Sequence, residues 1–180
     1  MVQKIAKIHL AAPVRKMDHV RGPSRSTVTL VGYGDFTNPE CAETYRAVKR
    51  VQKKMGPTLR YVFRSFPAPE GDLSQKAAEA AEAAGSQGKF WEMHDRMFEN
   101  SGSLNEFRLA RYASSLGLDV RRFQREMIGH AHARRVRSVV AGGRRSGVRG
   151  TPTLFINSVR YRSSFGVATL LASVQAANAS

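Results

Sequence analysis

Val28-Thr-Leu-Val-Gly-Tyr-Gly-Asp-Phe-Thr-Asn-Pro-Glu-Cys41 contains the chain's single cysteine and decides how the rest is read. Its β-branched and apolar start predicts a buried strand over Val28 to Tyr33, which ends in a glycine-containing turn. Asn38-Pro39 then predicts a helix start, because proline at the first helical position loses no hydrogen bond that the helix needs. The helical spacing of Tyr45, Val48, Val51, Gln52 and Met55 continues this helix until Gly56-Pro57 stops it. Leu59 to Phe63 reads as the next strand. Strand, helix and strand in this order predict a right-handed βαβ unit. The spacer Pro39-Glu40 ahead of Cys41 has the geometry of a Cys-x-x-Cys motif whose first position is Asn38.

Further along, Ala77, Ala80, Ala81 and Ala84 form a small-residue helix face. Phe90, Trp91, His94, Met97 and Phe98 follow it. Helices are expected over Leu104 to Leu116, Val120 to Ile128 and about Ala131 to Arg144. A hairpin is expected from Thr153 to Ile156 and Val159 to Arg162 across Asn157-Ser158, with a closing helix from Val167 to Ala177. The first 24 residues read as a mixed lead-in that Arg21-Gly-Pro-Ser24 ends. The expected organisation is α/β: a lead-in at 1–24, then one domain at 25–180 carrying an all-helical insertion at about 70–145.

Four stretches carry a resemblance to one family. They are Val28 to Cys41, Ala77 to Asp95, Leu116-Gly-Leu-Asp-Val-Arg-Arg-Phe123, and Ser146-Gly-Val-Arg-Gly-Thr-Pro-Thr-Leu-Phe-Ile-Asn157. Together, in order from about His19 to the last helix, they resemble DsbA-like thioredoxin-fold proteins, which are thiol-disulfide oxidoreductases. The resemblance implies a thioredoxin-like fold (βαβ…ββα) with an inserted helical subdomain. It also implies that Pro152 is cis, and that Gly150, Thr151 and Pro152 form an edge for an extended peptide or a glutathione-like ligand. The alternative for Pro152 is a purely structural role.

The same resemblance makes the departures informative. A first cysteine at a helix N-terminus has its thiolate stabilised by unpaired N–H groups and the helix dipole. Asn38 cannot be that nucleophile, so a dithiol cycle within the chain is not expected. Asparagine is instead a strong N-cap, whose side-chain oxygen would accept from the N–H of Glu40 or Cys41. The charge of Glu40 opposes a neighbouring thiolate. Gly32 stands where the family commonly carries a buried acid. Cys41 is then either a packed small hydrophobe or a monothiol able to form a mixed disulfide with glutathione or a protein partner.

Composition bounds the partners. Twenty-nine Lys+Arg against fourteen Asp+Glu give a net charge of +15, which favours acidic partners. Basic residues concentrate at Arg46, Lys49, Arg50, Lys53 and Lys54, and again at Arg134, Arg135, Arg137, Arg144, Arg145 and Arg149. The absence of zinc-finger spacing, an RNP-like aromatic pattern or a helix-turn-helix argues against nucleic-acid recognition. No metal site is expected: His130 and His132, two apart, would face different sides of a helix. His94 reads as a packed helix residue. No apolar run approaches the ~18 residues of a membrane span, and Met1 to Leu10 lacks the apolar core of a secretory signal. With one cysteine, a reducing cytoplasm is the expected home. Three functions follow: an oxidoreductase homologue limited to single-cysteine chemistry at Cys41, a non-catalytic binding module, or a glutathione-binding transferase or isomerase using Asn38.

Overall fold

The computed structural model describes residues 8–179. The first seven residues of the segment read for a secretion signal therefore lie outside it. A five-stranded sheet has the order β1-β3-β2-β4-β5, made of β1 (His19–Arg21), β2 (Val28–Gly34), β3 (Leu59–Ser65), β4 (Thr153–Ile156) and β5 (Val159–Arg160). Only the β2–β3 pair is parallel, with α1 (Pro39–Met55) as its crossover. The other pairs are antiparallel. Between β3 and β4 run α2 (Asp72–Gly85), α3 (Phe90–Glu99), α4 (Glu106–Ser115), α5 (Val120–Ile128) and α6 (Ala133–Arg145). The helix α7 (Val167–Asn178) closes the chain. The expected architecture is present. The final strand is shorter than the hairpin pattern suggested, and α4 starts two residues later.

Both faces of the sheet are covered, so its central strands are apolar on both sides. Side chains alternate along β2 and β3. Val28, Leu30, Leu59, Tyr61 and Phe63 join a large core with α1 and the helical insertion. Val31, Tyr33 and Val62 join a smaller one with Phe66, Val148 and Phe155, onto which Val139 and Val140 of α6 pack.

The stretch read as a lead-in is integrated with the domain. β1 pairs with β3, and His9 bridges to Val159. The buried guanidinium of Arg64 makes two 2.9 Å hydrogen bonds to Asp18 and donates to the Ala12 and Pro13 carbonyls and the Tyr33 hydroxyl. Burial pulls the Asp18 pKa up, but hydrogen bonds from Arg64 and the Arg15 N–H outweigh it and hold the carboxyl below its ordinary value. A buried cation needs several partners, and the lead-in supplies them.

The alanine-rich α2 packs on more than the one face its alanine spacing suggests. Ala77, Ala78, Ala80, Ala81, Ala83 and Ala84 are all buried, and so are Glu79 and Glu82. Glu79 pairs with His130, and Glu82 meets His19 and Arg135. Close helix packing thus leaves room for carboxylates that face basic partners from the lead-in, the α5–α6 connection and α6.

Candidate functional site

The site forms where β2 ends and α1 begins. Asn38 has extended backbone, and its side-chain oxygen accepts the Glu40 N–H at 2.8 Å, the capping role expected from sequence. The amide nitrogen of the same side chain donates to the Thr151 carbonyl at 3.1 Å, across 113 residues of chain. One neutral side chain thus closes the helix terminus and also ties it to the loop before β4. The Thr151–Pro152 peptide bond is cis. The Thr151 carbonyl is engaged by Asn38, whereas its N–H has no partner among the described residues.

Cys41 follows one turn later and is only 3% exposed. Its Sγ accepts the Asp35 backbone N–H at 3.4 Å. Burial pushes the thiol pKa up to about 11. Hydrogen bonds from the Asp35 N–H and the Thr151 side chain pull the other way, while the charges of Asp35 and Glu40 add to the rise. At neutral pH the thiolate is then roughly one part in ten thousand, and the thiolate is the reactive form. Pro39 and Glu40 are exposed beside this closed thiol. A groove of about 510 Å³ runs from Glu40 along α1 to Phe165 and Gly166.

The space around Gly32 is occupied. A Cβ at Gly32 would lie 2.7 Å from the Tyr61 hydroxyl, 3.1 Å from its ring and 3.2 Å from Leu154. Tyr61 is buried, and burial, reinforced by the charge of Cys41, raises its pKa. A bulky phenol on the neighbouring strand fills the place that the resemblance assigned to an acid. Gly32 is therefore a close-packing position and not a gap in the strand. A residual cavity of only about 10 Å³ remains among Gly32, Cys41, Tyr61, Phe63 and Pro152.

The buried acid of this site is Asp35, which the sequence reading passed over. It is 4% exposed. One oxygen accepts from the Thr37 N–H and hydroxyl at 2.9 and 2.8 Å, and the other from the Ala68 N–H and Ser74 hydroxyl at 3.1 and 2.7 Å. The carboxylate joins the β2–α1 turn to the loop after β3. The local signal was Asp35-Phe-Thr37, an aspartate able to bond the backbone two residues on.

His94 is buried, as expected for a packed residue, among Phe36, Tyr45, Phe63, Trp91 and Phe98. Nδ1 lies 2.9 Å from Asp95, and Nε2 has no partner. Burial drives its pKa down to about 4, against the pull of Asp95, so the ring is neutral at physiological pH. Among the described residues, no cluster of His, Cys, Asp and Glu is placed to hold a metal ion. Among the same residues, no helix is long and apolar enough to cross a membrane.

On the other side of Gly150, a cleft of about 480 Å³ is lined by Phe66, Pro67, Ala68, Pro69, Val148, Arg144 and Arg149. Both arginines are exposed, and neither guanidinium has an ion pair or hydrogen bond among the described residues. The sequence placed them in a basic cluster without assigning a role.

The thioredoxin family model matches residues 15–176. A 172-residue stretch is 42% identical to part of a Na(+)/H(+) antiporter, NhaA 1, of Salinispora arenicola, covering 94% of this chain and 26% of that protein. The Na(+)/H(+) antiporter NhaA of Herminiimonas arsenicoxydans is 38% identical over 162 residues, again with 26% of its length covered. The chain thus spans about a quarter of the length of these curated relatives. A thioredoxin-like oxidoreductase from Silicibacter pomeroyi superposes with a TM-score of 0.79 at 28% identity, covering 91% of this chain and 93% of that one. BdbD from Bacillus subtilis, in its oxidised form, gives 0.86 at 18% identity over 97% of this chain and all of the other. Wolbachia pipientis alpha-DsbA1 gives 0.80 at 17% identity, with 94% of each chain covered. The last two are likenesses of fold.

Proposed function

The chain belongs to the thioredoxin family, and from that premise we propose that it is a DsbA-like homologue that binds an extended partner segment in place of dithiol exchange. The observation that carries this reading is the position of Asn38. It stands where the attacking thiol would be, and both ends of its amide are committed, to the Glu40 N–H and the Thr151 carbonyl. Dithiol exchange needs a thiolate at that place to attack and a second thiol to release the mixed disulfide. Cys41 alone is buried and held protonated, which also disfavours single-cysteine chemistry. A glutathione-type enzyme would need a donor aimed at the ligand's sulfur; one of the two Asn38 amide N–H donors is held on the Thr151 carbonyl, which restricts where the other can point.

What the fold retains is the edge at Thr151, with an open N–H and a carbonyl that a partner strand gains by displacing one side-chain hydrogen bond. The occurrence of related segments within Na(+)/H(+) antiporters fits a module that works on a larger protein and not on free thiols. An insulin-reduction and dithiol-oxidation assay separates the readings. The native chain is expected to be inactive in both. Asn38→Cys, which recreates the two-cysteine spacing, is expected to give measurable activity that Cys41→Ser abolishes. Native activity equal to that of Asn38→Cys, and lost in Cys41→Ser, would overturn the binding reading.

A further inference from the structure

The cleft beside Gly150 combines an apolar floor with a basic rim. Its floor is apolar, from the buried Phe66, Pro67 and Val148, and its rim carries Arg144 and Arg149 with no acidic residue in the lining. The adjoining trough along α6 shares Pro67, Ala68, Pro69 and Arg144 but is of mixed sign, since Glu70 and Asp72 line it opposite Arg137. A carboxylate is therefore favoured in the near cleft and partly repelled from the far one. The near cleft also opens at Gly150, one residue from the unpaired Thr151 N–H. Along an extended peptide, residues on one face recur every ~7 Å, so a strand paired at Thr151 carries a neighbouring side chain towards this cleft.

We propose that the cleft is a specificity pocket for an acidic side chain of an extended peptide paired at Thr151, with the stem packed against Phe66 and Val148 and the carboxylate held by Arg144 and Arg149. This rests on the edge-binding reading above and adds the chemical class of the partner. Paired guanidinium contacts with a carboxylate are the stronger, geometrically selective form of such bonds. The arginines are free of internal partners, so no existing ion pair has to break first.

The test uses fluorescence anisotropy of three fluorescein-labelled hexapeptides, alternating valine with glutamate, with threonine or with lysine, titrated with the full chain at two salt concentrations. The valine–glutamate peptide is expected to bind at least about tenfold tighter than the valine–threonine peptide. Arg144→Gln/Arg149→Gln is expected to remove that preference, while the equal charge loss in Arg121→Gln/Arg125→Gln on α5 changes it less than about twofold. Equal effects of the two double variants would overturn the pocket, because the net field alone would then explain binding. Equal binding of the glutamate and threonine peptides would also overturn it while leaving the Thr151 edge intact. Failure of all three peptides to bind would overturn edge and pocket together. Phosphatidylglycerol vesicles form the remaining arm: vesicle binding that depends on Arg144 and Arg149, without acidic-peptide binding, would reassign the arginines to a membrane surface and sink the proposal.

Discussion

The Cys41 corner and the Arg144–Arg149 cleft lie on either side of Thr151 and have opposite physical characters. At the corner nearly every polar group is committed internally: Asn38 at both ends, Asp35 on both oxygens, and the thiol beneath them. At the cleft two exposed arginines have no hydrogen-bond or ion-pair partner among the described residues, and neither does the Thr151 N–H next to it. Committed polar groups build stability; uncommitted ones are available to a ligand. On the binding function proposed above, the corner serves the fold where dithiol chemistry would be done, and the cleft stays available where a partner would dock.

The comparison breaks most severely at Asp35. Asp35→Ala is expected to cost about 4 kcal/mol, because two N–H groups and two hydroxyls lose a buried charged acceptor. Urea unfolding measures this, and a loss below ~1 kcal/mol would mean that the corner is not held by that carboxylate. Acid should weaken the adjoining core next. The His94 pKa is depressed in the folded state, so the ring is neutral there while the unfolded chain takes up a proton below its ordinary value of 6.5. Stability is therefore lost as pH falls from about 6.5 to about 4, by roughly 2–3 kcal/mol. Asp18, Glu82 and Asp95 have lowered pKa values and weaken the fold only as pH falls below their ordinary values, at the bottom of this window and beyond. The difference between the native chain and His94→Leu across pH 4–7 isolates the histidine; parallel pH profiles would contradict its neutral burial.

A smaller effect is expected at Gly32. Gly32→Ala places a methyl against the Tyr61 hydroxyl and should cost about 2 kcal/mol. Tyr61→Phe should recover part of that loss, a non-additivity seen in a double-mutant cycle of denaturant midpoints. Smallest of all is the cleft: Arg144→Gln/Arg149→Gln should change stability by less than about 0.5 kcal/mol, since both side chains are exposed and no ion pair or hydrogen bond among the described residues is removed. A large thermal shift there would mean that the arginines belong to the fold.

The sequence made one side of this comparison legible. The β2–α1–β3 unit could be read because strand periodicity, Asn38-Pro39 and Gly56-Pro57 are all local signals. The Asn38 cap onto Glu40 was local too, and the structure contains it. The second bond of Asn38, to Thr151, spans 113 residues and has no local signature. Gly32 suggested a loss because the compensating bulk of Tyr61 comes from another strand. The lead-in looked separable because its role depends on Arg64, a charged residue inside a β3 pattern. The alanine spacing of α2 carries no sign of buried Glu79 and Glu82, because their partners His130, His19 and Arg135 come from distant segments. What remained hidden was consistently polar and long-range, whereas apolar periodicity was visible in single segments.

The most direct measurement is the rate at which Cys41 reacts with a small thiol reagent at pH 7.5, native and in denaturant. A thiol that is 3% exposed with a pKa of about 11 should label at least a hundredfold more slowly in the native chain than in the unfolded one. Native labelling as fast as that of the unfolded chain would contradict the closed corner and return Cys41 to chemistry.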